Sequence, residues 1–287
     1  MRQVRALRHV GTAFVAVALL AVLPAGCGFF GSSADGADTP PPDGPKLTVG
    51  IKFDQPGLGQ KTGDNTFAGF DVDVARYVAR ELGVHPGNVS FVEAKSAERE
   101  TMLEQGKVDL VAATYSISDA RKKKVDFAGP YFVAGQSLLV RKTTSDITGP
   151  ESLNQSDWRL CSVKGSTPAE KVKQSYAKSV TLREFPSYPE CLVALEDADD
   201  PVDAVTTDDV ILAGYAAGQP DKFKLVGKPF SQERYGVGLR KGDARRDKVT
   251  AALRKMVSDG SWKRSVEENI GKSGYKIPEP PAVLDSP

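Results

Sequence analysis

The sequence predicts an α/β fold with largely parallel sheets, built as two similar lobes. Two observations carry this. Short β-branched runs alternate with amphipathic stretches from residue 47 to residue 270. The order strand–helix–strand–helix then occurs twice, before and after about residue 138. Ligands of such sheets sit beyond the carboxyl ends of the strands, where lobes meet.

The chain has 287 residues and opens with Arg2, Arg5 and Arg8, followed by an uncharged apolar run over 10–23 and by Leu23-Pro24-Ala25-Gly26-Cys27. A basic start, an apolar centre and a small-residue end read as a signal peptide over 1–26, not as a spanning helix. Residues 27–45 are rich in Gly, Ser, Asp and Pro and cannot bury a core. They read as a disordered tether with a reach of roughly 20–25 Å.

Residues 47–51 form the first strand, and a Gly- and Pro-rich loop is expected over 54–65. Phe70, Val74, Val78 and Leu82 fall four apart and give one apolar helix face, which Gly83 ends. Asp71 and Asp73 suit the positive end of that helix dipole. A strand over 89–92 precedes a helix that Ser96 would cap and Gly106 would close. Strands follow over 136–141, 158–163, 180–185, 202–206, 223–226 and 235–239. Between and after them come helices over 191–195, 208–215, 249–256 and 262–270. Thr167 as N-cap, Pro168 at N1 and Glu170 at N3 make a capping box.

The formal net charge is +1 and no basic tract points to nucleic acid. His9 and His85 are the only histidines, and there is no P-loop and no GxGxxG, so neither a metal nor a cofactor is expected. Cys161 and Cys191 are an even pair in an exported chain and read as a disulfide, which would add roughly 3–4 kcal/mol by closing a loop of about thirty residues. The alternative is two buried free thiols.

The stretch around Arg121 concentrates chemistry. Val108-Asp109-Leu110-Val111 reads as a buried strand, Thr114 and Ser116 follow it, and Ser118 caps a short helix that carries Arg121 one turn in. Hydroxyls, backbone N–H groups and a guanidinium then surround one small space, which suits a carboxylate. The alternative makes Arg121 the first of a solvated run with Lys122, Lys123 and Lys124.

Gly69-Phe70-Asp71-Val72-Asp73-Val74, continued by Val78, Ala79 and Leu82, resembles the signature of family 3 extracellular solute-binding proteins, the amino-acid receptors of ABC importers. The likeness runs over about 46–275, through Val108-Asp109-Leu110, residues 114–121, Asp126-Phe127, Pro130-Tyr131, Gly165-Ser166-Thr167 and residues 203–208. Asp54-Gln55-Pro56-Gly57-Leu58-Gly59, Ser96-Ala97-Glu98-Arg99 and Cys161-Ser162-Val163 look like the glutamate-binding lipoproteins of glutamate importers. Residues 23–27 resemble a lipobox, with Pro24 where a leucine is usual. That implies a lipid on Cys27 and an extracytoplasmic place on the cell membrane; ordinary secretory cleavage nearby is the alternative.

The resemblance implies a periplasmic-binding-protein-like fold of two α/β lobes closing on a ligand about two hinge strands. Lobe 1 would take 46–137 plus 233–276 and lobe 2 would take 138–232, with hinges near 134–138 and 232–236 and a tail over 277–287. It also implies a monomeric receptor, not an enzyme, that hands an acidic amino acid to a permease. Dehydratases do exist on this scaffold, but the matched pocket positions hold no histidine.

By position, Arg121 matches the arginine that grips the α-carboxylate, beside Ser116 and Thr114, with Ser166 and Thr167 facing it from lobe 2. Asp208 matches the acid that receives the ammonium. Ordinary helix caps are the alternative for Thr167 and Asp208. A second ligand carboxylate needs a second cation, since burying it unpaired is very costly. Lys52 and Arg99 match basic pocket positions, and Ser96 would add a hydrogen bond. Arg99 could instead pair on a helix surface with Glu98 or Glu100. A glutamine receptor, a receptor for another polar amino acid, and a ligand sensor for a membrane signalling partner are the competing readings.

Overall fold

The computed structural model describes residues 43–168, 171–172, 177 and 179–287. The signal peptide, Cys27, the tether as far as 42 and Glu170 of the expected capping box lie outside them.

The first half runs β1 (Leu47–Ile51), β2 (Asp54–Gln55), β3 (Gly59–Gly63), β4 (Thr66–Ala68), α1 (Phe70–Glu81), β5 (Val89–Glu93), α2 (Arg99–Glu104), β6 (Leu110–Val111), α3 (Asp119–Lys122) and β7 (Val125–Ala134). The chain then passes through Gly135 into β8 (Gln136–Arg141), β9 (Arg159–Val163), β10 (Thr181–Phe185), α4 (Tyr188–Glu196), β11 (Ala204–Asp208), α5 (Asp209–Gly218) and β12 (Phe223–Val226). It returns through β13 (Glu233–Arg240) and ends on α6 (Arg246–Ser258) and α7 (Ser261–Asn269).

Two five-stranded sheets result, in the orders β5-β1-β6-β13-β7 and β10-β9-β11-β8-β12. The architecture is periplasmic-binding-protein-like, with mixed sheets rather than largely parallel ones. In the first, β1 runs parallel to β5 and β6, whereas β13 is antiparallel to β6 and β7. In the second, β9 runs parallel to β10 and β11, whereas β8 is antiparallel to β11 and β12. The physical reason is the traffic between sheets. Helical crossovers make parallel neighbours within a sheet, but a strand arriving from the other sheet enters from the opposite end.

The Gly-rich loop expected over 54–65 is instead part of a three-stranded antiparallel sheet, β2-β3-β4. β7 is a strand not expected from the sequence, and it carries Gly129 and Pro130 in its middle. It lies at the edge of its sheet, where a missing N–H costs no ladder bond. Ser96 is not a cap, since α2 begins at Arg99 with Glu98 as its N-cap residue.

Helix α1 buries Phe70, Val74 and Val78 as its spacing requires. Gly69 before it has φ 121° and packs on the Leu58 backbone, a position closed to any side chain. Phe70 meets Tyr131, Phe132 and Trp262 in one aromatic cluster, where the Trp262 indole donates to the Tyr131 carbonyl at 2.6 Å. Cys161 of β9 and Cys191 of α4 form a disulfide.

Candidate functional site

The carboxyl ends of strands from both sheets converge on one cavity of about 20 Å³. Gln55, Ser96, Arg99, Thr114, Ser116 and Arg121 line it from the first half. Ser166, Thr167, Tyr188 and Asp208 face them from the second, with Pro168, Thr207 and Ile211. That volume holds little more than a water, so the two halves stand closed on each other.

Ser118 caps α3 by accepting from the Arg121 N–H at 3.3 Å. The Arg121 guanidinium is buried, not part of a solvated run. Its Nη1 donates to the Ser116 carbonyl at 2.8 Å, its Nε stands 3.2 Å from Glu100, and its Nη2 crosses to the Gly165 carbonyl at 3.1 Å. Arg99 is 2 % exposed and donates from Nη1 to the Ala113 carbonyl at 2.9 Å, so it is no surface partner of its neighbouring glutamates. Among the described residues its Nε is buried without a hydrogen-bond partner. Both guanidiniums lie against the Tyr115 ring, at 4.4 Å and 5.0 Å from its centroid. Burial, and then the like charge of Arg121, lower the Arg99 pKa to about 10, so it stays a cation.

Thr114 holds φ 45°, rare for a β-branched residue. Asp71 accepts from the Thr114 N–H at 2.8 Å and from the Tyr131 hydroxyl at 2.7 Å, and the Thr114 hydroxyl donates to Gln55 at 3.1 Å. Asp71 stands in the first turn of α1, where it suits the helix dipole, and is also fully buried beneath the site. Burial raises its pKa to about 6, against the two hydrogen bonds it accepts.

At the other end, the Tyr235 hydroxyl donates to Asp208 Oδ2 at 2.5 Å, while Oδ1 is buried without a hydrogen-bond partner among the described residues. Asp208 precedes α5 but makes no side-chain cap bond there. Burial, then the charge of Glu233, push its carboxyl well above the usual range. Glu233 is itself held by Lys171 and Ser231. Tyr188 donates to Thr207 at 2.6 Å and walls the cavity beside Asp208.

Of the expected ligand residues, Ser96, Arg99, Thr114, Ser116, Arg121, Ser166, Thr167 and Asp208 are all in the lining, and Lys52 is not. Lys52 is buried at 3 % exposure with its Nζ 4.0 Å from Asp54, and burial lowers its pKa. Gln55, Tyr188, Thr207 and Ile211 were not singled out from the sequence. Tyr188 carried a signal in the Pro189 that follows it at a helix start. Gln55 sat within a motif already quoted for its likeness.

The arrangement sets two guanidiniums and one carboxylate around a space walled by hydroxyls. That set of charges is complementary to a molecule with two acid ends and one ammonium. Among the described residues, no group of His, Cys, Asp and Glu could hold a metal ion.

Residues 47–272 match the bacterial extracellular solute-binding proteins, family 3. The glutamate-binding protein GluB of Corynebacterium efficiens is 43% identical over 243 residues, 81% of this chain and 81% of that protein. The glutamine-binding protein GlnH of a Bacillus subtilis ABC transporter is 36% identical over 250 residues, 84% of this chain and 89% of that protein. Among solved structures, an ancestral arginine-binding protein bound to arginine superposes with a TM-score of 0.72 at 34% identity, covering 79% of this chain and 98% of its own.

Proposed function

The chain belongs to the bacterial extracellular solute-binding proteins, family 3, and we propose that it is the extracytoplasmic receptor of an ABC importer for an acidic amino acid, L-glutamate first and aspartate second. The observation that carries this is the charge of the cavity. Arg99, Arg121 and Asp208 are the inverse of glutamate, which has two carboxylates and one ammonium. The unpartnered Arg99 Nε and Asp208 Oδ1 support the same reading, since buried polar atoms are rarely left unpaired.

In this reading Arg121 holds the α-carboxylate with Thr114 and Ser116, and Ser166 and Thr167 close on it from the other lobe. Asp208 takes the ammonium. Arg99, with Ser96, takes the side-chain carboxylate, and Lys52 is not a direct ligand. Lobe 1 takes 46–137 plus 233–276 and lobe 2 takes 138–232, a division supported by the strand membership of the two sheets except that β8 of the second sheet begins at Gln136. A lipid on Cys27 and the tether behind it hold this monomer at the membrane, where the permease receives the unaltered ligand.

Calorimetric titration tests the specificity. Glutamate should bind more tightly than glutamine. Arg121→Ala should abolish binding of every amino acid. Arg99→Ala should weaken glutamate by roughly a hundredfold and leave glutamine far less affected. Tighter binding of glutamine by the unaltered protein, or an acidic preference that survives Arg99→Ala, refutes the assignment.

A further inference from the structure

Helix α5 touches the opposite half at a second place, one helical turn beyond the cavity wall. Ile211 lines the cavity. Four residues on, the Tyr215 hydroxyl donates to the Asp54 carbonyl at 2.7 Å. Beside it, Gly214 presses on Pro56 so closely that a Cβ there would lie 2.5 Å from the Pro56 carbonyl oxygen. Beyond this contact the two halves part around a crevice of about 290 Å³.

The start of α5 behaves differently. Asp209 is bonded to Gly135, the single residue between β7 and β8, through its own N–H at 2.7 Å and through Oδ1 at 3.1 Å. A rotation that opens the cleft about this crossing moves each group in proportion to its distance from it. Asp209 stays with Gly135, whereas Tyr215, six residues along and roughly 9 Å away on the helix axis, leaves Asp54.

We infer that Gly214 and Tyr215 are positioning residues for ligand capture: they dock on Asp54–Pro56 only in the closed molecule and set how much of the protein is closed. The contact touches no ligand group, so it scales the affinity for every ligand by one factor and leaves specificity alone. This rests on the reading of the cavity as the ligand site.

Gly214 offers an unusually clean test. It lies inside α5 without a positive φ, so alanine there is the better helix former and should not harm the fold. Only the closed state meets the clash. A fluorophore pair across the cleft reports closure in the free and loaded full chain, and calorimetry gives affinities for glutamate and glutamine.

Gly214→Ala should lengthen the distance in the free chain, weaken both amino acids at least tenfold by the same factor, and leave the thermal midpoint unlowered. Tyr215→Phe should act in the same direction by roughly three- to tenfold, the loss of one hydrogen bond, and stands in should the alanine variant fold poorly. Unchanged distances and affinities in both variants overturn the inference. So does a changed ratio between glutamate and glutamine. If the unaltered protein binds no amino acid, the ligand reading fails, while the distance in the free chain still decides whether this contact governs closure.

Discussion

Asp208 shows how one buried carboxyl ties affinity to pH. In the closed molecule without ligand its carboxyl is pushed up to about 7, by burial first and Glu233 second, with Asp209 adding to the rise and the Tyr235 hydroxyl and Lys171 working the other way. An ammonium needs the ionised form, so below pH 7 binding must expel the proton. Affinity for glutamate should therefore rise as pH goes from about 5.5 to 7, by up to tenfold per unit, and level off above. The ligand's side-chain carboxyl, with an ordinary pKa of about 4.3, does not titrate in that window. Titrations in two buffers of different protonation enthalpy would count the proton released below pH 7; none released, with a flat affinity, means Asp208 is already ionised before binding. The same shift makes the free fold less stable as pH rises between about 4 and 7, because there the folded state binds more protons than the unfolded chain. Asp71 adds to that slope with its pKa near 6, and its position explains a motif residue that helix electrostatics alone did not. Its carboxylate fastens the Thr114 backbone N–H, 43 residues away, a partner no local pattern reveals.

Among the elements, those governed by neighbours in sequence were the most legible. β1 and β12 begin and end where the sequence reading places them, and α3 starts at the Ser118 cap. β2, β3 and β4 were missed because each is two to five residues long and pairs across tight turns, so Gly and Pro outweighed the pattern. Helix α4 starts three residues earlier than expected and ends one later, and the late expected start hid Tyr188. That helix is also where a covalent constraint matters. The Cys161–Cys191 bond ties α4 to β9, and α4 carries Tyr188 into the cavity wall. Opening a loop that spans 30 residues of sequence frees the unfolded chain, so Cys161→Ser with Cys191→Ser should cost roughly 3–4 kcal/mol in denaturant unfolding. Reductant should have a similar effect on the unaltered protein and none on the double variant. A double variant as stable as its parent would mean that the bridge restrains neither state.

At the scale of the molecule, the order of elements was legible and the assembly of the sheets was not. Alternation is local, whereas β13 reaches the first sheet from more than a hundred residues after β6, and only the two-lobe resemblance anticipated that return. Its place is central rather than peripheral: β13 lies between β6 and β7, with seven paired positions along β7. The second sheet takes all five strands from 136–226, so its pairing depends on no distant segment. Two fragments should therefore behave oppositely. A chain of 136–232 should unfold cooperatively by circular dichroism, with its disulfide formed. A chain of 46–134 should not, since β7 has lost its neighbour. Ala134 stands opposite Glu233 in the register, so a two-residue Asn-Gly turn joining 134 to 233 would make β7 and β13 a hairpin and restore the sheet. The joined chain should regain a cooperative melt that 46–134 lacks. Cooperative folding of 46–134 alone, or a joined chain that stays unfolded, would show that the first sheet draws its stability from contact with the second rather than from its own closed set of strands.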